Sequence, residues 1–447
     1  MKVIKIKNIS INFFLNKKLF PKNFSLEKFK FIIDNFRVKK KIVCMPDLNF
    51  KAKNFIPTGV NVPTIDSINP LLLSSNINDS IGAIKVRTER EIKKKDIKII
   101  FNFLRKNISI FRRKKNIINK KEFIDFLENG VKNIYKKWNF TNQDINCIEN
   151  RGKRKLNINT KTIIEIIGKK KIKSLPNYIP NDGLISRGLK NIGVLDGTSH
   201  FIELFRVMDL KKKKDCKNLD VKINDYFFLV HAGSGDVGRY IHHYIQDKNL
   251  NNIKPNSYLG KLVKSCYMAA INYGFVNRLF IYKKIIEAFK PNNIKLNYSI
   301  FSDLPHDYLE CDLRSKSYYH RKGVVKVNPK SKFTKSHRWS KTGSPYILPS
   351  HPGGNAYIMI NKSGNKNSLY SLNHGMGRSL SKTEAAIKIK KFSFDKKKIQ
   401  MFRYYKDDLR TQSPKAFKDT KNILNAINSN KLADNIAVLE SVAVLKA

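Results

Sequence analysis

Nine histidines occur in this 447-residue chain, and four of them, His200, His231, His306 and His374, stand at the ends of apolar runs among Gly, Ser or Asp residues. An imidazole placed there can coordinate a divalent metal or act as a nucleophile, because near neutral pH it offers an uncharged nitrogen along a fixed direction. Taken singly, each reads more readily as a hydrogen-bonded structural histidine. Taken together, with Asp79 and Asp303 in similar settings, they suggest a metal site. The other five carry less weight: His242 and His243 fall on a helix face, His320 and His337 lie in basic segments, and His351 lies in a Pro and Gly loop. These default to structural or RNA-facing roles.

The elements that must position these residues follow from pattern. Short β-rich runs at 41–45 and 84–87 are separated by Pro, Gly, Asn and Asp, which predicts strands joined by loops. From Glu89 to Lys190 the chain is Lys-rich, with helical spacing over 96–107 and 121–138 and a loop-like stretch over 172–182. The apolar run 226–230 stops at His231-Ala-Gly-Ser-Gly-Asp236, a strand entering a Gly-rich turn. Residues 258–289 carry the spacing of a long buried helix interrupted by Asn272, Asn277 and Arg278. With no internal repeat and no long linker, the expected architecture is one mixed α/β (α+β) domain over 1–447, with a basic, partly helical insertion at 89–190.

Composition sets the partner class. Lys plus Arg number 88 against 35 Asp plus Glu, a formal charge of +53, so a polyanion is the first partner to expect, and RNA, DNA and anionic membrane surfaces all qualify. Part of that charge reflects a chain crowded with Lys, Asn and Ile, as AT-rich codons produce. Clusters such as Arg112-Arg113-Lys114-Lys115 and Lys169-Lys170-Lys171 therefore read as solvated faces giving salt-sensitive, non-specific binding. The five scattered cysteines have no paired spacing, which fits a reducing compartment, cytoplasmic or nuclear, with an AT-rich endosymbiont or reduced nucleus suiting the composition. No apolar run is long enough to span a bilayer and no cleavage signal is visible, so a soluble, uncleaved protein is expected.

The order and wording of several segments resemble the RtcB family of tRNA-splicing ligases. Gly193-Val-Leu-Asp-Gly-Thr-Ser-His-Phe-Ile-Glu203 resembles the family's Gly-Thr-Leu-Gly-x-Gly-Asn-His-Phe-x-Glu, and Val230-His-Ala-Gly-Ser234 its His-Ser-Gly-Ser turn. His306-Asp-Tyr resembles His-Asn-Tyr, and Arg321-Lys-Gly323 an Arg-Lys-Gly strand. Asn373-His-Gly-Met-Gly-Arg-Ser-Leu-Ser-Lys382 resembles the block that holds the family's guanylylated histidine. Cys44-Met-Pro-Asp47, Pro414-Lys-Ala-Phe-Lys-Asp419 and Val444-Leu-Lys446 follow in register, whereas 90–190 matches poorly. Several such strings in the right order are difficult to produce by chance.

The resemblance implies an RNA ligase that joins a 3′-phosphate or 2′,3′-cyclic phosphate end to a 5′-hydroxyl with GTP and manganese, in tRNA splicing or RNA repair. The partners it implies are RNA, as tRNA halves, and an archease-type activator. It casts His374 as the nucleophile that carries GMP. Ser199, Glu203, His351, Gly375, Gly377, Arg378, Phe417 and Lys446 would hold the nucleotide, and Asn76, Asp79, His200, His231 and His306 the metals. Where the family has Asp-x-x-Cys, this chain aligns Asn76 and Asp79, losing one formal negative charge; a small gap would instead set Asp79 at the aspartate position. Asn49 stands for a His, Ser199 for an Asn and Gly235 for a phosphate-binding Arg, with Arg239 a candidate to supply the missing charge. The loop Pro349-Ser-His-Pro-Gly353 departs from Pro-Gly-Ser-Met-Gly. An active ligase with an altered metal site ranks first, a non-catalytic RNA- or guanine-nucleotide-binding relative second, and a basic structural RNA-binding protein third.

Overall fold

The computed structural model describes residues 1–50, 55–168, 172–174, 182–197, 199–395, 398–405 and 408–447. The Lys169–Lys171 run and most of the loop expected over 172–182 lie outside the described residues. The architecture is mixed α/β, built on a 14-stranded sheet with helices packed against it around one large apolar core.

The strands that carry the histidines are neighbours in that sheet. Asp79–Thr88 pairs along one edge with Tyr226–Ala232 and along the other with Pro305–Asp312 and then Leu296–Ser302. Phe201–Leu210 pairs with the far edge of Tyr226–Ala232, and Ala433–Lys446 lies beyond it. Tyr226–Ala232 is buried along its whole length, so its sequence is a continuous apolar run rather than an alternating one. The predicted strands at 41–45 and 84–87 are present within Lys41–Asn49 and Asp79–Thr88.

The long helix is Tyr258–Glu287, 30 residues buried on all sides over its middle, as an interior helix must be. The three polar residues that interrupt it are bonded. Asn272 donates to the Leu127 and Arg154 carbonyls, and Asn277 donates to those of Val194 and Gly233. Arg278 forms a fully buried pair with Asp303 at 2.9 Å and donates to the carbonyls of Asn78 and Ala232. Asp303 also accepts from Ser80 and Tyr282. It is therefore a structural partner of Arg278, not a metal ligand as its setting in the sequence suggested.

Between 89 and 190 the helices Lys94–Asn107, Lys120–Asn129 and Thr160–Ile167 turn Ile100, Phe123, Phe126 and Ile163 into the common core. The helix expected over 121–138 stops at Asn129, with Gly130 as its cap, and a short turn at Lys136–Trp138 follows. Arg112 and Arg113 do not form a solvated face: Arg112 pairs with Asp182 at 2.7 Å and Arg113 donates to the Ile192 carbonyl, while Lys114 and Lys115 are exposed. Among the described residues no helix is long and apolar enough to cross a membrane, and all five cysteines are free.

Removing one member of a buried ion pair strands the other charge in a low-dielectric interior, at a cost of about 3–5 kcal/mol. Asp303→Ala is expected to lose that much stability in denaturant unfolding. A loss under about 1 kcal/mol would show that water or a neighbour takes over the role of Asp303.

Candidate active site

Asp79 opens its strand, His231 lies near the end of Tyr226–Ala232, His306 is the second residue of Pro305–Asp312, and His200 directly precedes Phe201–Leu210. Strand register brings them together, because Ser80 pairs with Ala232, Asp79 with Asp307 and Phe201 with His231. The Asp79 carboxylate then faces three imidazoles: His200 Nε2 at 3.1 Å, His231 Nε2 at 3.3 Å and His306 Nε2 at 3.7 Å. The rings form a row, with centroids 4.6 Å apart for His200 and His231, 5.2 Å for His231 and His306, and 4.7 Å for His306 and His374.

The electrostatics suit a cation. Burial opposes the charge on Asp79, but the His200 and His231 rings outweigh it and hold the carboxyl well below the usual carboxylate range. Burial, assisted by the neighbouring rings, lowers His231 to about 3, so its lone pair is available at neutral pH. Burial also opposes protonation of His200, yet Asp79 and Asp196 raise it above the ordinary value; its Nδ1 faces the Leu195 carbonyl, which turns Nε2 to the group. Asp79 Oδ1, His231 Nε2 and His306 Nδ1 are buried without a hydrogen-bond partner. Ligand atoms of Asp79, His231 and His306 lie within 4.8 Å of one another. Oxygen and imidazole donors converging unpartnered in a buried site fit a divalent ion such as manganese. Asn76 borders the same cavity, and its carbonyl accepts the Asp79 N–H at 3.0 Å.

His374 follows the strand Ser371–Asn373, whose pairing of Asn373 with Val324 sets the ring opposite Gly323. Its Nδ1 lies 3.0 Å from the Gly323 carbonyl and 2.7 Å from the Asp47 carboxylate, which leaves Nε2 unencumbered. Burial works to lower this imidazole, and Asp47 with Asp307 outweighs it, so its pKa stands above the ordinary value. Two glycines make room for the contact. A Cβ on Gly377 (φ +68°) would meet the Asp47 backbone oxygen at 2.8 Å, and one on Gly323 (φ +66°) would strike Thr58 at 2.4 Å and press His374 Nδ1 at 3.3 Å. Behind Asp47, the buried Lys418 ammonium donates to the carbonyls of Leu19, Pro46 and Leu48, gripping the strand on both sides of the carboxylate. Burial lowers Lys418 to about 8, with Asp47 opposing. Asp47 stood in a recognised segment but no role could be read for it, and Lys418 gave no signal, since a Lys in a Lys-rich chain is unremarkable.

Both groups open on one cavity of about 290 Å³, also lined by Ser199, Glu203, His351, Gly375, Gly377, Arg378, Phe417 and Lys446. Burial pushes the Glu203 carboxyl up to about 7, against hydrogen bonds to Oε1 from Ser441 (2.6 Å) and the Gly353 N–H (3.0 Å) and against the charge of Lys446. Arg378 lies over the Phe417 ring at 4.8 Å and donates to the Leu380 and Thr411 carbonyls, which fixes that ring; His351 is 6.2 Å from it. Lys446 Nζ donates to the His200 carbonyl at 3.1 Å.

His200, alone among the expected residues, is not on the cavity wall but behind it. Arg239 does not supply a phosphate-binding charge: its guanidinium is held by Asp196 at 2.6 and 2.5 Å and by Asp236 at 2.7 Å, away from the cavity lining. Gly235, where the family's Arg was expected, is buried at the start of the Gly235–Gln246 helix. Of the lesser histidines, His320 is fully buried between the Asn69 N–H and the Val62 carbonyl, His242 is buried against Tyr267, and His337 is held by Asn146 and Trp339. All three are structural.

A family model described as tRNA-splicing ligase RtcB matches residues 33–447. The chain is 23% identical to the tRNA-splicing ligase RtcB of Methanococcus maripaludis, over 92% of this chain and 88% of that protein. It is 24% identical to RNA-splicing ligase RtcB homolog 1 of Entamoeba dispar, over 58% of this chain and 54% of that one. It is also 24% identical to the RNA-splicing ligase RtcB of Mycobacterium tuberculosis, over 60% and 67% respectively.

Asp79 is the group's sole carboxylate among the described residues, so Asp79→Ala is expected to weaken manganese binding at least about tenfold in equilibrium dialysis, the scale of losing even an indirect support. Unchanged metal content would place the ion elsewhere.

Proposed function

Because the chain belongs to the RtcB family, we propose that it is an RNA ligase joining a 3′-phosphate or 2′,3′-cyclic phosphate end to a 5′-hydroxyl end, with tRNA halves as the substrate class and GTP as nucleotide donor. The observation that carries this reading is the placing of His374 in the same cavity as the Asp79 and histidine group, its ring 4.7 Å from that of His306.

In this reading His374 Nε2 attacks the α-phosphorus of GTP. The N–P bond forms as the P–O bond to pyrophosphate breaks, and the Asp47 carboxylate beside Nδ1 offsets the positive charge the ring acquires. An RNA 3′-phosphate oxygen then takes the same phosphorus from His374, after water has opened any cyclic phosphate. The 5′-hydroxyl attacks the activated RNA phosphate, losing its proton, and GMP departs. Guanine would be held where Phe417 is backed by Arg378 and where Glu203, with Oε1 already engaged, leaves Oε2 to accept from the purine N–H groups. Manganese held by Asp79, His200, His231 and His306, with Asn76 at the margin, would neutralise phosphate oxygens and align attacking and leaving groups.

One observation favours a second reading, binding of RNA or guanine nucleotide without transfer. The phosphate-binding Arg expected at Gly235 is missing, and Arg239 is committed to Asp196 and Asp236.

Incubation with α-labelled GTP and manganese separates the two. Acid-labile label is expected on the wild-type protein and none on His374→Ala, while Asp47→Asn is expected to slow labelling about 100-fold. A wild-type protein of confirmed metal content that takes no label leaves the binding reading standing.

A carboxylate accepts a purine N–H more strongly than a protonated carboxyl does, so affinity for the base should fall as Glu203 protonates through about 7. Binding of GMP to His374→Ala, which removes the nucleophile's own titration, is expected to weaken about tenfold per pH unit below that point. Glu203→Gln should flatten the profile. A flat wild-type profile would remove Glu203 from the base-binding wall.

A further inference from the structure

Beside the catalytic cavity lies a second one of about 270 Å³, and Lys382 and Lys446 line both. Two rings wall it, Phe111 and Tyr405, 59% and 61% exposed, with centroids 6.0 Å apart and planes tilted by 44°. Neither segment hangs free. Tyr405 follows the Gln400–Arg403 strand, where Phe402 stacks on Phe101 at 5.0 Å and 20°, and Tyr404 Oη donates to the Ile108 carbonyl at 2.7 Å. On the other side Ser109 bridges to Val194, and its hydroxyl donates to the Phe111 carbonyl at 2.6 Å.

The surroundings are cationic. Arg105 and Arg113 lie close enough to Tyr404 to act on its hydroxyl, and the exposed Lys114 and Lys115 follow Phe111 in the chain. The Asp408 side chain at this cavity is paired with Arg410 at 2.8 Å, which offsets its negative charge. Exposed ring faces amid positive charge suit a single-stranded nucleic acid, whose bases stack while its phosphates meet the cations, and suit an apolar protein surface poorly.

The geometry points to a base-stacking platform: a nucleobase near the RNA end to be joined packs on Phe111 and Tyr405 while the end itself enters the adjoining His374 cavity. Phe111 lies in the 90–190 region, outside the motifs that carry the family resemblance. The inference rests on the ligase reading.

The test uses the full chain, the Phe111→Ala/Tyr405→Ala double variant and the conservative Phe111→Tyr/Tyr405→Phe pair. Readouts are anisotropy of a labelled single-stranded oligoribonucleotide ending in 3′-phosphate, and guanylylation by GTP without RNA. The alanine pair is expected to bind RNA about tenfold more weakly, the scale of one lost base stack, with guanylylation unchanged and the aromatic pair behaving as wild type. Unchanged RNA affinity in the alanine pair overturns the platform, as does an equal loss in the aromatic pair or a loss of GTP labelling in place of RNA binding. If the wild type takes no label yet loses RNA affinity on alanine substitution, the platform stands and the ligase reading falls.

Discussion

The buried pair between Arg278 and Asp303 is the constraint on which the rest of the site depends. Two ions at 0% exposure pay a large desolvation penalty, and such a pair seldom improves stability over an apolar packing of the same volume. What it supplies here is position. Arg278 holds the carbonyls of Asn78 and Ala232, next in sequence to Asp79 and His231, while Asp303 sits three residues before His306 and accepts from Ser80, next to Asp79. One buried ion pair thus ties the three strand ends that carry Asp79, His231 and His306, whose side chains include unpartnered buried polar atoms.

His374 is organised from the other side by a different device. Lys418 grips the backbone around Asp47, Asp47 and Gly323 fix the His374 ring, and the Asp307 carboxylate accepts the Gly323 N–H at 2.6 Å. Since His306 and Asp307 are adjacent, one strand carries both a member of the metal-type group and the carboxylate that holds Gly323 beside His374, and a shift in its register moves both. Asn78 N–H bonding to the Asp307 carbonyl at 2.7 Å closes that connection.

The convergence of His200, His231, His306 and His374 was legible in the sequence because all four sit where apolar runs end, and a run that stops abruptly marks a strand end. The long helix was legible for the same reason, its periodicity surviving the interruptions at Asn272, Asn277 and Arg278. What those interruptions do was not, since each answers to carbonyls or carboxylates on remote segments. Asp303 and Asp79 look alike in sequence, yet one faces a guanidinium and the other three imidazoles. Arg112 and Arg113 misled because charge runs report composition, and their inward turn depends on Asp182 and on distant carbonyls. Arg239 misled because acidic partners only three and 43 residues away had no visible pairing with it.

The glycines around Asp47 and His374 bear on how such a chain changes over time. A genome that pushes codons toward Lys, Asn and Ile can rewrite positions whose side chains meet solvent, and such drift accounts for part of the large positive charge. At Gly377 and Gly323 a single added carbon collides with backbone or with its neighbours, so the drift has nothing to work with. At those two positions space, as well as chemistry, fixes the residue type, so the turn that seats His374 against Asp47 admits no side chain there.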